Sequence, residues 1–89
     1  MWSKEGSFKG NFKTKFTPSY IAATSDNHLV ILSRSHNIAM VYTPDGHLIH
    51  QFGEKGCNPG KFNNCWGICI NKSGLVFIAD GFNKRVQVF

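Results

Sequence analysis

At 89 residues the chain has room for one small domain at most, which excludes a large enclosed active site. Its 42% apolar and 17% charged content sets it apart from disordered chains, which lack the apolar surface to build a core. Ten Lys and Arg against five Asp and Glu leave +5, a surplus that favours anionic partners, although scattered lysines more often simply keep a surface solvated.

In chain order, the first stretch places Lys4, Lys9, Lys13 and Lys15 against Glu5 alone and reads as a Lys-rich lead-in over residues 1–14. It has neither an apolar signal core nor a membrane-length run, so the expected setting is the cytoplasm, with no membrane partner. Short apolar runs with period-2 alternation follow, separated by Gly, Asn, Asp, Pro and Ser, and such runs are strands joined by hairpins. The expected strands are 20–24, 29–33, 38–42 and 47–52, then 66–70, 75–79 and 85–89. "TSDNHL", "TPDGHL" and "INKSGL" supply equivalent turns, with Pro44 fixing φ and Gly46 or Gly74 offering a left-handed residue. The fold class is therefore all-β and antiparallel.

The chain also repeats itself. "IAATSDNHLVILSRSHNIAMVY", residues 21–42, lies without a gap on "ICINKSGLVFIADGFNKRVQVF", residues 68–89, at an offset of 47. Strand-built repeats of this length are the signature of β-propeller blades, each a four-stranded antiparallel sheet. The division expected is a lead-in, 1–14, that is the end of a preceding blade; a first blade, 15–57; and a second, 58–89, whose fourth strand is missing. Two blades cannot close a ring, so open apolar faces are expected beside Tyr20, Val30, Val76 and Phe77, and the isolated chain is expected to be marginally folded.

"GKFNNCWGICINKSGLVFIADGFNKRVQVF", preceded by "YTPDGHLIHQFGEKG", closely resembles the NHL repeat. Gly60, Phe62, Gly67, Gly74, Asp80, Asn83, Arg85, Val86, Gln87, Val88 and Phe89 sit on that pattern, and Cys65 stands where the family usually has Pro. The earlier copy is divergent, with Ser33, His36 and Ile38 in place of Asp, Asn and Arg. Its "PSYIAA" opening resembles late repeats of tripartite-motif proteins of the neuronal NHL type. The resemblance implies an NHL-type propeller of about six blades, of which this chain is a fragment of about two, with further blades in the same parent chain. It also implies a parent E3 ubiquitin ligase, in which this part is a non-catalytic scaffold that recognises a protein substrate or adaptor. RNA binding is the alternative.

Asp80 and Arg85 are expected to form a charge-assisted pair that ties down a loop, with Asn83 bonding to backbone, and to be scaffold rather than site. The loops between second and third strands and the connection between blades share one face of a propeller. Arg34, Ser35, His36, Lys55, Lys61, Phe82 and Lys84 are expected to gather there, as a candidate face for RNA or a protein partner. Trp66 is expected to pack between blades. Cys65 and Cys69, four apart, share a strand face, but no His or third thiol stands in register, and His47 and His50 point to opposite faces. No metal site or cofactor is expected. Without a nucleophile elbow, phosphate loop or paired carboxylates, neither is an enzyme activity.

Overall fold

The computed structural model describes residues 10–89, so the expectations for Lys4, Glu5 and Lys9 lie outside the described residues. Two antiparallel sheets follow in chain order. The first comprises β1 (Tyr20–Ala23), β2 (Leu29–Ser33), β3 (Ile38–Tyr42) and β4 (Leu48–Phe52), paired in that order. The second comprises β5 (Cys65–Ile70), β6 (Val76–Asp80) and β7 (Arg85–Val88), with a single 3-10 turn, Gly81–Asn83, before its last strand. None of the described helical segments is long and apolar enough to cross a membrane.

One turn design closes three of the hairpins. The N–H groups of Asn27, Gly46 and Gly74 donate to the carbonyls of Thr24, Thr43 and Asn71 at 3.0 to 3.1 Å, and all three donor residues are left-handed. The residue that opens each turn then caps it. Thr24 and Thr43 hydroxyls accept the N–H of His28 and His47, and Asn71 Oδ1 accepts those of Ser73 and Leu75. Short polar side chains that bond their own backbone favour such turns over continued strand, which is why these three sites punctuate the pattern.

β2 and β3 are buried almost throughout because both faces of their sheet are covered. On one side Ile31, Met40 and Tyr42 form a cluster that Phe12, Phe16 and Leu29 pack against. Phe12 lies 5.4 Å from the Tyr42 ring, and the Lys15 N–H donates to the Tyr42 hydroxyl at 2.8 Å. On the other side Leu32 and Ala39 meet Phe62, Cys65 and Ile78 of the second half, and this is the seam between the sheets. β1 lies alongside β5 there. Gly53, at φ +99°, passes under the Phe62 ring so closely that an added Cβ would sit 2.5 Å from it.

The seam corrects the expected open faces. Val30 is only 3% exposed, and Tyr20 and Val76 pack against the seam cluster, so those positions are closed. Phe77 alone of the four lies on the open side, in a shallow groove with Gly67, Cys69, Ala79 and Val86. The groove has a direct counterpart. At the offset of 47, Gly67, Ala79 and Val86 correspond to Tyr20, Leu32 and Ala39, all of which the second sheet covers. The sheets therefore stack head to tail: the face of the first sheet that meets the second is the same face that the second presents to solvent.

A bulge makes a second correction. Cys65 pairs with Asp80 but Gly67 pairs with Ala79, so the register shifts between them. The extra residue turns Cys65 into the seam and Cys69 out to the open groove, on opposite faces, whereas strict alternation would place them together. Burial pushes the Cys65 thiol above its ordinary pKa, as befits a core side chain. β4 likewise begins at Leu48, which leaves His47 in the turn rather than on the strand with His50.

Candidate functional site

The connection between the sheets is fastened to the second one by a buried carboxylate. Asp80 is fully buried at the end of β6. Its Oδ1 accepts the Asn63 N–H at 2.7 Å, and its Oδ2 accepts Asn83 Nδ2 and Arg85 Nε at 2.9 Å and Gln87 Nε2 at 3.2 Å. Burial alone would raise its pKa, but the Asn63 N–H, then Asn83 and Arg85, outweigh it and hold the carboxyl below its ordinary value. Arg85 then reaches back to the carbonyls of Cys57, Asn58 and Lys61, and Asn83 to that of Gly56. Gln87 bonds the Lys61 carbonyl and the Gly60 N–H.

The first sheet replaces this network as a set. Ser33, Ile38 and Met40 stand at the positions of Asp80, Arg85 and Gln87, and all three are buried, with the Ser33 hydroxyl 3.3 Å from His36 Nδ1. Removing charge and counter-charge together leaves neither stranded.

Above this framework lies the loop face. Asn64, left-handed at φ 62°, joins the two sheets' loops. Its N–H donates to Asn37 Oδ1 at 3.0 Å, its carbonyl accepts the Gly81 N–H at 3.2 Å, and its Oδ1 accepts Arg34 Nε at 2.6 Å. The Arg34 guanidinium also lies 4.1 Å from the Trp66 ring centroid. Trp66 in turn lies over Gly81, where an added Cβ would come within 2.0 Å of the indole, so only glycine fits beneath it. Rather than being interred between the sheets, Trp66 bridges their loops at the rim and stays 51% exposed. Phe82, next along the loop, is 67% exposed.

The other expected face residues are less concentrated. His36 turns toward Phe16, 4.7 Å from its ring, with its Nδ1 3.0 Å from the Ser35 hydroxyl. Lys61 Nζ is paired with Glu54 at 3.1 Å. Lys55 is exposed beside the bridge its backbone makes to Phe62. Lys84 is exposed and left-handed at the end of the 3-10 turn. The structure thus joins Arg34 and Phe82 through Trp66 and Gly81, and leaves His36 to one side. Asn64 and Asn37 were not singled out from the sequence; the signal they carried was asparagine, the non-glycine residue that most readily turns left-handed, at loop positions.

Residues 62–89, which run from the seam phenylalanine through β7, match the family model described as NHL repeat. The second half of the chain is an NHL repeat. NHL repeats mediate protein binding, and this one carries its motif residues in the Asp80 network just described. Across 88 residues, 98% of its length, the chain is 35% identical to protein lin-41 of Caenorhabditis elegans, of which it covers 7%. It is 42% identical over 38 residues to the E3 ubiquitin-protein ligase TRIM71 of Xenopus tropicalis, covering 43% of the chain and 5% of that protein. It is 32% identical over 71 residues to human NHL repeat-containing protein 3, covering 79% of the chain and 20% of that protein. The chain therefore spans a small part of the relatives it matches.

Proposed function

We propose that this NHL-repeat chain is a non-catalytic recognition scaffold, part of a larger propeller that binds a protein substrate or adaptor for a tripartite-motif-like E3 ubiquitin ligase in the cytoplasm. Head-to-tail stacking supports it. The groove of Gly67, Cys69, Phe77, Ala79 and Val86 repeats a face that a neighbouring sheet covers in the first half, so another blade of the same kind fits against it. The relatives named as ubiquitin ligases supply the activity, and the three cysteines, none in a disulfide, suit a reducing compartment. RNA binding is the alternative and draws on exposed Phe82 and Lys84.

Two measurements on the natural gene product test this reading. Under native conditions maleimide is expected to label exposed Cys57 rapidly and Cys69 far more slowly, because the groove is covered. Equal rates would show the groove open and remove the propeller. In a ubiquitin-transfer assay, deleting residues 20–89 is expected to abolish modification of the partner protein while self-modification persists. Unchanged partner modification would remove the scaffold role.

A further inference from the structure

We propose that Arg34 is the anchor of a peptide-binding site: its guanidinium receives an acidic side chain of the partner protein, and Trp66 with Phe82 seats an apolar residue beside that acid. The proposal rests on the scaffold reading and names the chemistry of its ligand.

Arg34 is unusual for a surface arginine in how completely it is held. Its backbone N–H donates to the Ser19 hydroxyl at 3.0 Å, its Nε to Asn64 Oδ1 at 2.6 Å, and its plane lies over the Trp66 ring. Asn64 is itself held by both loops, through Asn37 and Gly81. Freezing a long side chain is normally a cost of binding, and here folding has already met it. The two Nη groups make no hydrogen bond among the described residues, although the Nε is used. They form a fixed fork, the geometry that takes a carboxylate or phosphate oxygen pair. Beside the fork stand two aromatic rings, both more than half exposed. Exposed Trp and Phe next to a fixed cation match a ligand that is acidic at one point and apolar at the next.

A carboxylate fits better than a nucleic-acid backbone. A strand of RNA draws its affinity from several phosphate contacts made together. On this face the other guanidinium, that of Arg85, is spent on Asp80 and three carbonyls, and Lys61 is paired with Glu54. Among the described residues that leaves Arg34 as the one cation held rigid with donors to spare, while the exposed Lys55 and Lys84 side chains make no hydrogen bond or ion pair that would fix them in place.

The test is selection of a random twelve-residue peptide library on the full chain, followed by affinity measurement on the chain and its variants. Selected peptides are expected to carry Asp or Glu within two positions of an apolar residue. Arg34→Gln is expected to weaken them about tenfold or more, the usual loss for a charge-assisted hydrogen bond. Arg34→Lys, which keeps the charge but not the fork or the stack, should rescue little. Phe82→Ser changes only an exposed ring, so it reads the site even if Arg34 variants fold poorly, and it is expected to weaken the same peptides about threefold or more. Peptides that bind Arg34→Gln and Phe82→Ser as tightly as the parent would overturn this site and leave the scaffold reading standing. Failure to select any acidic peptide, or a ten-nucleotide oligouridine that outcompetes the selected peptides, would overturn it too, and the ubiquitin-transfer assay then judges the scaffold reading independently.

Discussion

Asp80→Ala is expected to lower the unfolding free energy of the chain by about 3–5 kcal/mol, most of the stability a domain of this size has. The carboxylate is fully buried and is the common acceptor for Asn63, Asn83, Arg85 and Gln87. Its removal leaves the Arg85 charge without its counter-charge, takes the sole acceptor from Arg85 Nε and the Asn63 N–H, and one of two acceptors from Asn83 and Gln87. Unmet buried donors cost more than the bonds were worth. A urea titration reads the effect as a large fall in midpoint, or as no folded baseline at all. A change under about 1 kcal/mol would mean that water replaces the carboxylate freely and the network is ornamental.

The same carboxylate sets a pH limit. Its pKa in the folded chain lies below the ordinary carboxylate value, so the stability it contributes is present in full above about pH 5, where the unfolded group is also ionised. As pH falls toward the folded-state pKa, the unfolded chain takes up the proton first and that stability is lost. Acid unfolding of the parent chain should accordingly be steeper than that of Asp80→Asn, which has no proton to gain there.

Much of this architecture was legible because strand, turn and repeat signals agreed. Alternating runs located the seven described strands, and β2 and β3 have the bounds expected from "LVILS" and "IAMVY", where apolar residues fill nearly the whole run. The other strands differ by a residue at their ends, where pairing rather than side-chain type decides the boundary. What escaped was whatever depended on one backbone residue out of pattern. The bulge between Cys65 and Gly67 leaves the composition of β5 unremarkable yet reverses the face of everything before it. The clamp on Arg34 depends on left-handed Asn64, thirty residues away in the chain, and on the bare Gly81 that lets Trp66 lie flat. Contacts of that kind have no periodic signature. The expected basic cluster likewise counted charges, and the counterion of Lys61 and the turning away of His36 are properties of neighbours.

Phe62→Ala is the complementary test, of packing rather than polarity, with an expected cost of about 3–5 kcal/mol. The ring is fully buried in the seam, with Phe89 of the second sheet at 5.8 Å and Phe52 of the first at 6.3 Å, and Gly53 closes over it without room for a Cβ. Collapse around the void is limited because Gly53 is fixed by its left-handed backbone and the Phe62 backbone is bonded to Glu54 and Gly56. The damage should also be unequal. The first sheet keeps Phe12 and Phe16 packed against its far face, whereas the second has only the seam, its other face being the open groove. Where each sheet is stable chiefly through its neighbour, losing the shared interface releases the one with no second neighbour first. Hydrogen exchange on Phe62→Ala should therefore show β6 and β7 amides losing protection well before those of β2 and β3. Equal loss in both sheets would mean that the two fold as a single cooperative unit, and that the blades of this chain are not separable parts.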